Sequence, residues 1–421
     1  MRVAPGLFAA VLCACAPAGR QGAVTQDGAL PVGTNDGAAG ASVDAAPPQT
    51  QPDLGPPVDA VADNRPPAHD ATPATDTGAA PVAWWDAAWS RRRWIGLDNS
   101  AGAETLENFP VPVVLDAARA IGVAAGGKDL RFVDAAGAVL SHELDEWSAG
   151  GTSIVWVRVP KLTAGPARQG FWMYYGNPAA EAPPASATWA APYAAVWHFG
   201  GTAADATAAR RQGESHARFA AGRLGQAAAF DSGAKEYVKL PSDTNLVSGA
   251  SAVTVSMWIQ HAGVVRDNQD IILGIGTASA TGHLSRVSIA VSPQLGFVSE
   301  ANPDEGPYEV LTSAANAAPN GQWHHFAAVI DVTVKTMTVY KDGAQLGTPY
   351  KGKWTAKAFP TTPSNRITIG CEEDLSKSYF NGMIDELRVQ LVARSPAWIA
   401  TEARALDPGF VSFAAAEEQR P

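Results

Sequence analysis

The chain has 421 residues, room for two or three domains, with only 17% charged residues and a formal net charge of −10. That balance argues against a nucleic-acid partner, which is normally met by a basic patch that neutralises phosphates. No segment after the first few residues reaches the ~18 consecutive apolar residues of a membrane-spanning helix.

In chain order, Arg2 supplies a short basic region and Leu7 to Leu12 a short apolar core, as in an export signal. Leu12-Cys13-Ala14-Cys15 resembles the lipobox of bacterial lipoproteins, in which a peptidase cuts before a cysteine that is then lipidated. Cys15 is the expected lipidation site, because small Ala14 precedes it and Leu12 lies three residues upstream. An ordinary cleaved secretory signal is the alternative. The next residue is Ala16 rather than Asp, which by analogy with enterobacterial sorting favours the outer membrane. The expected location is therefore the bacterial outer membrane or cell surface, lipid-anchored, with plain secretion as the alternative. Were Cys15 lipidated, Cys371 would have no partner, so neither a disulfide framework nor a four-cysteine zinc site is expected.

Residues 16–82 are expected to be a disordered linker. The stretch Ala16 to Ala80 has eight aspartates but no lysine and no aromatic residue, too little apolar area to offset the entropy of ordering. A flexible tether of that length spans roughly 45 Å root-mean-square.

A first folded block is expected over 83–185. It opens on Trp84-Trp85-Asp86-Ala87-Ala88-Trp89 and continues through extended segments Phe109 to Leu115, Leu130 to Val133, Ile154 to Val159 and Phe171 to Tyr175. Alternation puts Val155, Val157 and Val159 on one face and Ile154 and Trp156 on the other. Gly, Pro, Asn and Asp punctuate the gaps, and the spacing predicts a β-sandwich. Its landmarks are Trp85/Trp89/Arg92, Asn108 to Val111, Gly127 to Phe132, Leu140 to Leu144 and Tyr174 to Asn177. In that order they resemble the DUF2341 family of bacterial domains, which has no assigned activity and commonly precedes a laminin G-like domain.

A second block is expected over 190–418. In Val253 to Ile259, Val253, Val255, Met257 and Ile259 share one face while Thr254, Ser256 and Trp258 share the other. Further on, Gly321-Gln322-Trp323-His324-His325-Phe326 leads an apolar strand, and Asp342-Gly343 supplies the positive-φ pair that closes a hairpin. Phe380 to Val389 contains two adjacent acids, Asp385 and Glu386. This succession resembles the laminin G-like, concanavalin A-type jelly-roll family. Ala393 to Ile399, with Ser395-Pro396, resembles the closing segment of that family, in which Ser and Pro start a short helix. The fold class expected is thus all-β, with two jelly-roll-like sandwiches behind a signal peptide (1–15) and linker.

Several groups of residues invite a chemical reading. Glu143-Leu144-Asp145-Glu146 resembles the acidic strand of sugar hydrolases on this fold, which use E-x-D-x-E or E-x-D-x-x-E. Here Trp147 or Ser148 stands where the third acid belongs, and strict alternation turns Glu146 away from Glu143 and Asp145. The expectation is a polar edge strand with no catalytic residue. His324 and His325 face opposite sides of a strand and cannot share one ion. The jelly-roll resemblance implies that Asp385, with Asp205 of Asp205-Ala206-Thr207, helps to hold a structural calcium ion. The alternative is that Asp385 accepts from backbone amides or pairs with Arg388. Tyr308 and Trp354, near Asp304-Glu305, are the candidate rim aromatics for ligand binding.

The function expected is binding or adhesion, with a polysaccharide or an extracellular protein as partner and no enzymatic activity. A structural spacer and a glycan-active enzyme are the alternatives. No cofactor beyond Ca2+ is expected.

Overall fold

The structure is a computed structural model describing residues 83–184, 187–242, 246–263, 269–279, 282–292, 296–305, 309–312 and 321–420. Cys15, the linker and Tyr308 lie outside the described residues.

In the first sandwich, strand Arg91–Leu97 pairs with Gln169–Tyr175, which pairs with Arg131–Asp134 and, through it, with Val139–Leu140. Facing that sheet are three strands, Leu106–Leu115, Ser153–Leu162 and His142–Glu146. Alternation fills the space between them: Val155, Val157, Phe109, Val111, Phe132, Phe171 and Met173 are all buried there. Ile154 and Trp156, on the opposite face of the same strand, are buried as well, against Trp189, Tyr193, Val196 and Leu224. A strand buried on both faces needs a covering layer, and the second sandwich provides it.

The second sandwich has an eight-stranded and a seven-stranded sheet. Strand Ala252–His261 runs between Gly382–Gln390 and Trp323–Asp331, with Val253, Val255, Met257 and Ile259 in the core as alternation requires. Asp342 (φ 50°) and Gly343 (φ 79°) form the expected left-handed turn between Thr336–Lys341 and Ala344–Lys351. A side chain on Gly343 would meet Ala400 Cα at 2.9 Å, so glycine also lets the helix approach. Ser395 caps that helix, Pro396–Arg404, by accepting from Trp398 N, with Pro396 in its first turn.

The domain boundary expected at 190–418 needs correction. Val411–Phe413 pairs with Ile95 to Leu97 and Glu418–Gln419 with Arg91 and Arg92, so the chain returns to complete the first sandwich. Trp398, Ile399, Phe410 and Val411 share a core with Phe109 and Ile95, and Ala327, Val329 and Tyr340 from the outer face of the second sandwich join it. Sequence order gave no sign of this return, because a short returning strand looks like any other. The described residues, 83 to 420, fall within one compact unit.

Candidate functional site

The chemistry of the molecule gathers where the two sandwiches meet, and two β-bulges place it there. The first bulge lies in His142–Glu146. Its register against Ser153–Leu162 shifts between Leu144 and Glu146, so that Glu143 stands opposite Trp156, Leu144 opposite Val155 and Glu146 opposite Ile154. Asp145 is the extra residue. Glu143 and Glu146 therefore share the face directed at the second sandwich, which corrects the expectation that Glu146 turns away.

The second bulge lies in Gly382–Gln390. Asp385 pairs with Trp258 and Arg388 with Ser256, which leaves Glu386 and Leu387 opposite the single residue Met257. Glu386 takes φ 51°, a left-handed conformation that costs a non-glycine residue about 1–2 kcal/mol. On the other edge of this strand the neighbour changes at the same point. Gln226–Phe230 pairs as far as Ile384, and Tyr193–Trp197 takes over from Leu387. Asp385 and Glu386 occupy that gap. His198 follows directly on Trp197, where Phe199 (φ 60°) turns the chain out of the sheet.

His198 is the centre of the group. Its Nδ1 lies 2.9 Å from both oxygens of Glu386 and 3.9 Å from Asp145 Oδ2, and its Nε2 lies 3.3 Å from Glu143 Oε2. The Trp189 indole donates to the same Glu143 oxygen. Trp156 stacks on the imidazole with centroids 5.8 Å apart and planes 15° from parallel, and Trp189 packs at 5.3 Å. Arg388 donates to Glu386 Oε2 at 2.9 Å and to Glu402 Oε1 at 2.8 Å, and its guanidinium lies 4.5 Å from the Trp156 ring centre. Glu146 Oε1 accepts from Gln226 N at 2.9 Å. The groups around the imidazole are buried or nearly so, with the His198 side chain 7% exposed and that of Glu386 3%, while Glu146 and Gln226 lie towards the surface.

Burial decides the protonation pattern. Burial drives the Asp145 carboxyl up to about 7, with His198 pulling the other way and Glu386, Glu143 and Glu146 adding to the rise. Burial opposes a charged His198, yet Asp145 and Glu386 outweigh it and hold the imidazolium well above its ordinary range. Burial and the neighbouring Glu386 charge raise Asp385 well above the usual carboxylate range. Glu386 is lowered despite burial, by His198 and then Arg388.

The two residues expected to hold calcium serve different segments. Asp205 accepts from Val196 N, Thr207 N and Thr207 Oγ1 and forms an ion pair with Arg211 at 3.0 Å, so donors from the chain already occupy its oxygens. Asp385 Oδ2 accepts from Leu224 N at 2.9 Å, the backbone-amide alternative; Arg388 pairs with Glu386 and Glu402 instead. Trp354 is not a rim residue. It is 3% exposed, lies in the second core and donates to Val332 O. Asp304 and Glu305 are likewise engaged, with the Thr355 and Ala356 amides and with Arg286. His325 is packed against Trp258, while His324 pairs with Asp342, so the two histidines stay apart as expected.

The arrangement can hold a proton or a metal ion but not a sugar. Beside the cluster, Trp156, Trp258, His325, Glu386, Arg388 and Glu402 line a cavity of about 10 Å³, room for about one water. Among the described residues, Asp145, His198 and Glu386 form a metal-compatible set, with one donor atom from each lying within 4.8 Å of the others. Sequence reasoning singled out Glu143 and Asp145 but missed His198 as their partner. The only available signal was an ordered histidine directly after a strand of the second block.

Comparison with known proteins places the cluster across two families. Residues 126–204, which contain Glu143, Asp145, Glu146 and His198, match the family model described as a domain of unknown function, DUF2341. Residues 231–400, which contain Glu386 and Arg388, match the concanavalin A-like lectin/glucanases superfamily. No curated protein matches the chain. Among solved structures, domain 4 of AbnA, a GH43 extracellular arabinanase from Geobacillus stearothermophilus in complex with arabinotriose, is similar at 20% identity, covering 50% of this chain and 98% of that one with a TM-score of 0.39. The binding domain of botulinum neurotoxin DC, in complex with rat synaptotagmin II, is similar at 14% identity and a TM-score of 0.38, covering 51% of each chain. The binding domain of Paraclostridial Mosquitocidal Protein 1 is similar at 11% identity and a TM-score of 0.39, covering 50% of this chain and 51% of that one. The chain thus spans about half the length of these last two.

Proposed function

We propose that this chain, a DUF2341 domain followed by a concanavalin A-like domain, is an exported binding protein that recognises a polysaccharide or protein outside the cell. The observation that carries this reading is the concanavalin A-like match over 231–400, which supports a binding role. The buried acids around His198 support it from the other side: hydrolysis of a glycoside needs a carboxyl pair that a sugar can reach, and Trp156 and Trp189 pack over this group. In the same reading the chain is held at the bacterial outer membrane by a lipid on Cys15, with residues 16–82 as its tether.

A glycan array probed with residues 83–421 tests the binding role. Both sandwiches are needed, because the last strands of the chain complete the first one. Saturable binding to one glycan class supports the reading; consistent silence on glycans and on extracellular protein panels favours a structural spacer. Membrane fractionation of Cys15→Ser tests the anchor separately. Release into the soluble fraction is expected, and continued membrane association overturns it.

A further inference from the structure

The acids around His198 outnumber the cations that face them. Glu143, Asp145 and Glu386 surround one imidazole, and the guanidinium that pairs with Glu386, Arg388, also serves Glu402. A buried carboxylate needs a proton, a donor or a cation beside it.

The geometry supplies the place for it. We propose that the protein binds one zinc-class divalent ion between its two sandwiches, ligated by Asp145, His198 Nδ1 and Glu386. Tetrahedral zinc with ligands at 2.0–2.2 Å sets donor–donor edges of about 3.3–3.5 Å. The Nδ1 to Glu386 and Nδ1 to Asp145 separations, 2.9 Å and 3.9 Å, bracket that value, and all three donor atoms lie within 4.8 Å of one another.

The surrounding groups are those a metal-bound histidine requires. With Nδ1 on the ion, Nε2–H points at Glu143 Oε2, 3.3 Å away, the carboxylate partner that fixes ring orientation and tautomer. Trp189 fixes that carboxylate in turn. Arg388 holds Glu386 Oε2 and leaves Oε1 for the ion.

An independent observation is Asp385, which is fully buried. Its Oδ2 accepts from Leu224 N, while Oδ1 has no hydrogen-bond partner. Asp385 directly precedes the ligand Glu386 in the bulge, so its spare buried oxygen is the candidate for the fourth position. Glycine borders the acidic edge: a side chain at Gly225 would strike Glu146 Oε1 at 2.5 Å, and one at Gly200 would meet Asp145 Oδ1 at 3.3 Å. Glycine at these two positions lets the backbone lie directly against the acids. One imidazole among carboxylates favours zinc over calcium, which takes oxygen ligands alone.

Zinc titration of the full chain, stripped with a chelator and dialysed, tests the proposal. One equivalent of zinc should bind and raise the Tm, and calcium at the same concentration should do neither. Cobalt in place of zinc should give visible absorption bands of a four-coordinate N/O site. Asp145→Asn and His198→Gln should abolish stoichiometric binding. Because these variants remove buried charge and can fail to fold, Glu143→Gln provides a second arm, with an expected 10–100-fold loss of affinity in a folded protein. Absence of one-to-one zinc binding by the folded wild-type chain, or unchanged affinity in a folded Glu143→Gln chain, overturns the proposal. So does a cobalt spectrum of an exposed octahedral ion.

Discussion

Glu143 and Glu386 stand on opposite sides of one imidazole ring, Glu143 at Nε2 of His198 and Glu386 at Nδ1. One comes from the first sandwich and the other from the second, so the histidine joins the two by charge as well as by packing.

Removing that histidine leaves two buried carboxylates without their shared partner. His198→Gln should destabilise the folded chain by about 3–5 kcal/mol, the usual cost of breaking a buried ion pair from one side. Combining it with Glu386→Gln should cost clearly less than the sum of the two single changes, since both act on one contact. Urea unfolding of the three variants checks this; simple additivity would mean the contact carries no coupling.

Acid should weaken the fold through His325. Burial lowers this imidazole to about 4 from an ordinary value near 6.5, with Glu402 pulling the other way. Between those values the unfolded chain binds more protons than the folded one, so this contribution is fully present above about pH 6.5 and is lost as pH falls towards 4. His142, also lowered to about 4 by burial, acts in the same direction. The stability difference between the wild-type chain and His325→Gln should therefore shrink from pH 7 to pH 4. A difference that is flat with pH would contradict a neutral buried His325.

Trp354→Ala should act on stability. Truncating a buried tryptophan costs about 3–5 kcal/mol, and this one also gives up its hydrogen bond to Val332 O. If the variant unfolds at the wild-type denaturant midpoint, Trp354 does not hold the core.

Ending the chain at Asp407 should damage the first sandwich although every strand of the second remains. Arg91–Leu97 would lose its pairing with Val411–Phe413 and Glu418–Gln419, and the Arg91–Glu417 and Arg92–Glu418 ion pairs would go with them. Limited proteolysis with mass mapping should show new early cuts between residues 91 and 175. An unchanged cleavage map would indicate that the returning strands are dispensable.

The regular parts of the fold were legible in the sequence because alternation is a local rule. Val253 to Ile259, the Asp342-Gly343 turn and the Ser395-Pro396 helix start all fell where side-chain period and turn chemistry placed them. The site was legible only in part, because it is built from departures from that rule. An extra residue at Asp145 turns Glu146 towards Glu143, and another at Glu386 aims that acid at His198; neither leaves a pattern in the sequence. Trp354 was misplaced for a related reason: an indole in a Gly/Lys-rich stretch looks exposed until the tertiary core closes over it.

The returning strands also determine how the body responds to a pull. Arg91 lies beside Gln419 and Leu97 beside Val411 in an antiparallel pair, so the two ends of the folded region leave from the same edge. Tension between the ends would meet these bonds one after another, as in a zipper, and not all at once in shear. The first sandwich would open at Arg91–Gln419 while the jelly roll, loaded only through that seam, kept its shape.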